Sequence, residues 1–249
     1  MRVFLICCCL VFALFGFEKK SLYEVEYGVF KELGFADAKL TVSGQNYHIK
    51  IHTKTEGLAR FLSQKREEIY ESFGVTTKNG YLPYKFIQYK RWSDKEERTT
   101  YLFDHAKKDV KKIKEKYEDG KLVDKGEEPN KYYADNDILT LYFNISDDFK
   151  GMPAGAKKVY YAVGANPKDG RVDLIIPQGA KLSEIKEELE EPKAASYVVV
   201  FINQKIFSSE RGELWLAFDS KNDCVKATLK DVLFFGDVRG IQGTFMSLP

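Results

Sequence analysis

The chain has 249 residues, of which 44% are hydrophobic and 31% charged, with 39 Lys plus Arg against 37 Asp plus Glu. That balance excludes wholesale disorder and leaves enough apolar material for a real core. A net charge of only +2 gives no electrostatic reason to expect a nucleic-acid partner.

Met1-Arg2 is a short basic start, and Val3 to Phe17 is uncharged and almost wholly apolar. The run falls short of the roughly 20 residues a lasting membrane helix needs. A basic tip, a short apolar core and Gly16 near its end match a signal peptide over residues 1–17, with cleavage near Phe17 or Glu18. The expected product is one β-rich domain, 18–249, in the periplasm, with no membrane span once the signal is removed. Cys7, Cys8 and Cys9 lie in the apolar run as small hydrophobes, so Cys224 is left without a disulfide partner.

Beyond the leader the dominant period is two. Leu22 to Tyr27, Ala38 to Val42 and Tyr47 to Thr53 alternate apolar and polar residues, the mark of strands buried on one face and wet on the other. Gly34-Phe35-Ala36 and Ser43 to Asn46 read as breakers between them. Glu68 to Thr76 and Leu82 to Trp92 form a hairpin around Lys78-Asn79-Gly80, since Asn-Gly tolerates positive φ. Thr99 to Ala106 follows the turn Ser93 to Glu96. Val110 to Tyr117 and Lys121 to Lys125 flank Glu118-Asp119-Gly120. The apolar spacing of Val110, Ile113 and Tyr117 is helical taken alone, but the hairpin signal after it favours a strand. Glu213 to Asp219, Val225 to Leu233 and a run from Val238 complete the strands.

Short helices are expected at Glu56 to Leu62, from Asp137 to Asn144 behind a capping Asp, and from Leu182 to Glu190 with Ser183 as cap. Asp147 to Lys157 reads as a long loop. The fold class is therefore mainly β: a single domain of twisted antiparallel sheet, open or barrel-like, with a few short helices.

Catalytic signatures are missing where they would be sought. His48 and His52 share one strand face about 13 Å apart at the rise of roughly 3.3 Å per residue, too far for two ligands of one zinc. His105 reads as a surface residue at a strand end. Nucleotide-binding glycine patterns and a G-x-S-x-G elbow are lacking. Cys224 reads as a small, half-buried thiol beside a turn. The mild excess is aromatic, with 15 Tyr and 18 Phe. Many lie in the alternating strands, Tyr84 and Phe86 among them. They pack a sheet core in the first instance, and a concave aromatic face also suits an apolar ligand.

Several stretches together resemble the exported bacterial family catalogued as domain of unknown function 3108. They are Tyr23-Glu-Val-Glu-Tyr-Gly-Val-Phe, the segment Gly57 to Ser72, Leu82-Pro83, Phe103-Asp104-His105, Asp137-Ile-Leu-Thr-Leu-Tyr, Gly212-Glu-Leu-Trp-Leu and Gly236-Asp-Val-Arg-Gly. On this resemblance Arg66, Glu67, Glu71 and Ser72 occupy family positions. About 156–197 departs from the pattern and reads as an insertion. The resemblance implies a periplasmic, mainly antiparallel β protein without known catalytic residues; no metal or cofactor is expected.

The expected function is that of a non-enzymatic envelope protein binding a hydrophobic or glycan ligand, or a partner protein. Arg66, Glu71, Tyr84 and Phe86 are its candidate binding residues. Arg66 and Glu71, five apart, should face opposite sides of a strand, and at least one should be paired, because an unpaired buried charge is costly. The rivals are an envelope hydrolase or transferase using carboxylates gathered from different strands, and a scaffold.

Overall fold

Period-two alternation becomes one 15-stranded sheet in the computed structural model. The structure describes residues 16–27, 30–55, 66–145, 148–202, 212–232 and 236–243. The expected helix at Glu56 to Leu62, and the expected signal peptide apart from Gly16 and Phe17, lie outside them.

The first eight strands form an up-and-down meander. They are β1 (Phe17–Tyr27), β2 (Phe30–Ser43), β3 (Asn46–Thr55), β4 (Glu67–Thr77), β5 (Gly80–Trp92), β6 (Lys95–Asp104), β7 (Asp109–Glu118) and β8 (Lys121–Pro129). Their turns are those the sequence announces: Asp119 and Gly120 both take positive φ, 49° and 72°, as a tight primed hairpin requires. The chain then runs through β9 (Asn136–Asp137), helix α1 (Ile138–Ile145), a 3₁₀ turn (Asp148–Gly151), β10 (Lys157–Val163) and β11 (Arg171–Ile175). Helix α2 (Gly179–Leu189), β12 (Ser196–Phe201), β13 (Glu213–Phe218), β14 (Cys224–Val232) and β15 (Gly236–Gln242) complete it. The order across the sheet is β8 to β1, then β15 back to β9. Every pairing is antiparallel except the short one between β9 and β10.

Mainly β, antiparallel and with few helices, the architecture is the expected one. Four local readings change. Gly34 to Ala36 is not a breaker but lies inside β2, paired to Val25, Glu24 and Tyr23 of β1. The segment read as an insertion supplies β10, β11 and the start of β12, so it is integral to the sheet. Helix α2 begins three residues early with Gln178 at its N-cap, while Ser183 sits inside the helix and donates to the Gly179 carbonyl at 3.4 Å. His105 is half-buried rather than a free surface residue, within 2.5 Å of the Pro83 carbonyl and 2.7 Å of the Tyr133 hydroxyl.

The sheet curls until its two ends overlap. The connector after β8, helix α1 and the end of β10 press against the inward side of β3 to β7, in a core of Tyr47, Ile49, Phe86, Tyr101, Val110, Leu139 and Val163. Gly164 makes this contact close: a Cβ there would stand 2.6 Å from Phe86 Cε1. A second inward core gathers Leu141, Phe149, Val172, Leu174, Val198 and Leu216 around the other side of α1. The outer face of β12 to β14 is covered by α2 through Ile185 and Leu189, against Val199, Trp215 and Ala217. No helix among the described residues is long and apolar enough to cross a membrane.

Candidate functional site

The four singled-out residues do not converge. Arg66 donates through Nε to Glu68 Oε1 at 2.6 Å, and the Tyr70 hydroxyl reaches the other oxygen of Glu68 at 2.5 Å. Glu71 points to the opposite, outward side, where His48 Nε2 lies at 3.1 Å and Lys50 Nζ at 3.8 Å. Both charges are thus paired, on different faces. Phe86 is fully buried, whereas Tyr84 is 48% exposed. The β4–β5 register shifts between Phe73 and Gly74, leaving Tyr84 as the extra residue of a bulge, and a bulge re-aims its side chain. Tyr84 and Phe86 therefore do not share a concave binding face.

His48 and His52 share the outward face, as their spacing requires, each with its own carboxylate. His52 Nε2 is 2.6 Å from Glu67 Oε1, and Lys54 and Arg91 also pair with Glu67. Burial pushes the Glu67 carboxyl up, but His52, Arg91 and Lys54 outweigh it and hold it below the usual range. Among the described residues no three His, Cys, Asp or Glu converge as a metal site would need. Cys224 is buried, and burial pushes its thiol up to about 12, which makes it a poor nucleophile.

A sealed polar cluster underlies α1. Asp137 is fully buried and caps the helix: its Oδ1 accepts from the Leu139 and Thr140 amides at 2.8 and 2.9 Å. Its Oδ2 accepts from Ser72 Oγ at 2.5 Å and Thr140 Oγ1 at 2.8 Å. The Tyr47 hydroxyl lies 3.1 and 3.2 Å from those two hydroxyls. Burial pushes the Asp137 carboxyl up to about 6 despite these bonds. With Ser72, Asp137 and Thr140 all at 0% exposure, the cluster joins the helix to the sheet and meets no substrate. Asp137 was legible as a cap and Ser72 only through the family resemblance; their meeting with Tyr47, across strands, was not.

A groove of about 680 Å³ lies open along α2. Helix α2 is held in place by its buried face and by Trp215, whose ring centre is 4.2 Å from Lys181 Nζ and 4.5 Å from Lys230 Nζ. The indole N–H donates to Glu213 at 2.6 Å. This fixes the exposed flank of the helix, Leu182 and Lys186, opposite the loop carrying Phe149 and Met152, with Ile176 and Tyr197 also lining the groove. The walls are mainly apolar, and Lys186 Nζ sits 5.9 Å over the Tyr197 ring. Lys150, Lys186, Glu190 and Glu191 add two charges of each sign to its lining. Sequence reading missed it because its walls come from segments read as a loop and an insertion.

A family model described as "Protein of unknown function (DUF3108)" matches residues 22–165. No curated protein matches the chain. Among solved structures, it is similar to a β-barrel-like protein of domain of unknown function DUF1849 from Brucella abortus, at 8% identity and a TM-score of 0.45, over 90% of this chain and 95% of that one.

Proposed function

Since the chain belongs to the DUF3108 family of proteins of unknown function, we propose from its own surfaces that it is a non-enzymatic protein of the bacterial cell envelope that binds an apolar ligand in the groove beside α2. The observation that carries this reading is the groove itself: an open, mainly apolar surface on a rigid sheet-and-helix frame. The reading needs no titrating group, and the polar cluster around Asp137 is sealed.

Leu182 is a half-buried wall of the groove. Leu182→Glu is expected to weaken binding of 1-anilinonaphthalene-8-sulfonate roughly tenfold, a loss of about 1.4 kcal/mol. The melting temperature should shift little, because the side chain is not in the core. Unchanged dye binding by a folded Leu182→Glu protein removes the groove as the site. Mass spectrometry of the natively purified protein separates the occupants: a lipid mass supports the reading, whereas a glycan or a polypeptide alone overturns it.

Export belongs to the same proposal and rests on the apolar leader over residues 1–17. The mature protein is expected to begin near Phe17 or Glu18 and to be released by osmotic shock, as N-terminal sequencing of the released fraction would show. Full-length chain in the cytosol with Met1 intact contradicts it.

A further inference from the structure

The sheet has an edge at each end, and only one of them is guarded. β8 finishes at Pro129, carries Val123 as the extra residue of a bulge, and ties its charged side chains to β7, as in Lys111–Glu127 and Lys125–Glu115. Proline, bulges and charge are what keep a strand edge from pairing. At the other end, the short β9 covers β10 only at Ala162 and Val163. Lys157 to Tyr161 is left as an edge, and its register with β11 is unbroken.

The ladder bonds fix which backbone groups this edge presents. Ala162 N–H donates to the Gly170 carbonyl at 2.8 Å, and Ile176 N–H to the Ala156 carbonyl at 2.9 Å. Even-numbered residues of β10 thus bond to β11, and Lys157, Val159 and Tyr161 point their N–H and C=O groups away from it. No described residue bonds those groups. The side chains leave the edge open as well. Lys157 is exposed with no carboxylate partner among the described residues, Val159 is 42% exposed and Tyr161 50%. Lys158 and Tyr160 lie on the other face, where both reach Asp148 Oδ2, at 2.7 and 3.1 Å.

We propose that this edge binds an extended segment of another protein, which adds to the sheet as an antiparallel strand beside β10. The free groups recur every second residue, about 6.6 Å apart, and alternate donor with acceptor. An extended polypeptide carries the matching row, whereas a hydrocarbon chain offers no partner to any of it. The side chains of β10 select the sequence. On the face of Lys157, Val159 and Tyr161, alternate residues of an antiparallel strand lie opposite Tyr161, then Val159, then Lys157. Apolar residues suit the first two positions, and an acidic residue answers the free ammonium of Lys157. From N- to C-terminus the segment reads apolar-x-apolar-x-acidic.

The test is fluorescence anisotropy of the full chain with a fluorescein-labelled synthetic peptide, Thr-Val-Thr-Val-Thr-Glu-Thr. The same peptide N-methylated at its two valines loses donors that face β10 and is expected to bind roughly tenfold more weakly or worse. Val159→Pro removes an N–H that β11 does not use, so the variant should melt close to the parent and also lose roughly tenfold in affinity. Should that proline disturb the fold, the N-methylated peptide still decides, because the protein is unaltered. Lys157→Glu should weaken binding about threefold and favour a peptide with lysine in place of the glutamate. Leu182→Glu should change nothing, so the edge and the groove beside α2 can fail independently. Equal affinity for the N-methylated peptide, or no parent binding of the unmodified one, overturns the proposal. So does a parent dimer in sedimentation that Val159→Pro converts to monomer, which would assign the edge to a second copy of this chain.

Discussion

Replacing Phe86 with alanine is expected to destabilise the protein by about 3–5 kcal/mol, and replacing Tyr84 by no more than about 0.5 kcal/mol. The two residues are neighbours in one strand and both aromatic. Phe86 is 0% exposed, stacks on Tyr101 with ring centroids 5.8 Å apart, and carries the close approach of Gly164. Truncating it leaves a cavity at the overlap of the two sheet ends, where a glycine turn has no side chain to fill the void. Tyr84, on its bulge, has much of its ring in water. Urea unfolding monitored by tryptophan fluorescence reads both values. A cost below about 1 kcal/mol for Phe86→Ala would mean that the overlap does not hold the curl together.

The N-terminal half was legible because most of its strands have one buried and one wet face, β8 alone being exposed throughout. In β3, Tyr47, Ile49 and Ile51 face the core while His48, Lys50 and His52 face out, and the sequence shows the alternation directly. Strand β12 hides the same geometry. Val198 and Val200 enter the inward core, while Val199 lies beneath α2, so Tyr197 to Phe201 reads as a plain apolar run. Bulges are equally silent: nothing in Pro83-Tyr84-Lys85 announces the extra residue that turns Tyr84 outward. Sites assembled across the curl are the least legible. The bond from Ser72 to Asp137 spans 65 residues, and that between Tyr47 and Thr140 spans 93. The groove beside α2 likewise joins Phe149 to Leu182 and Tyr197, positions with no shared period.

Stability is expected to fall as pH rises from about 4 to about 6, by about 3 kcal/mol, because of Asp137. Its carboxyl titrates near 3.8 in an open chain and is pushed up to about 6 by full burial. Within that window the folded protein holds a proton that the unfolded chain has released. Folding then binds the proton more tightly than unfolding does, so the contribution is full below the unfolded value and lost as pH rises through the folded one. Glu67, Asp148 and Asp237 are held low by their cationic partners and act in the opposite sense, losing stabilisation as pH falls. Comparison with Asp137→Asn removes them, since they are common to both proteins. The amide keeps an oxygen for the Leu139 and Thr140 amides and has no charge to desolvate. Unfolding free energies of the two proteins, measured from about pH 4 to about pH 7, should therefore diverge by about 3 kcal/mol, the parent losing ground as pH rises. Parallel curves would mean that Asp137 pays no desolvation cost, and that water or a cation reaches the cluster beneath α1.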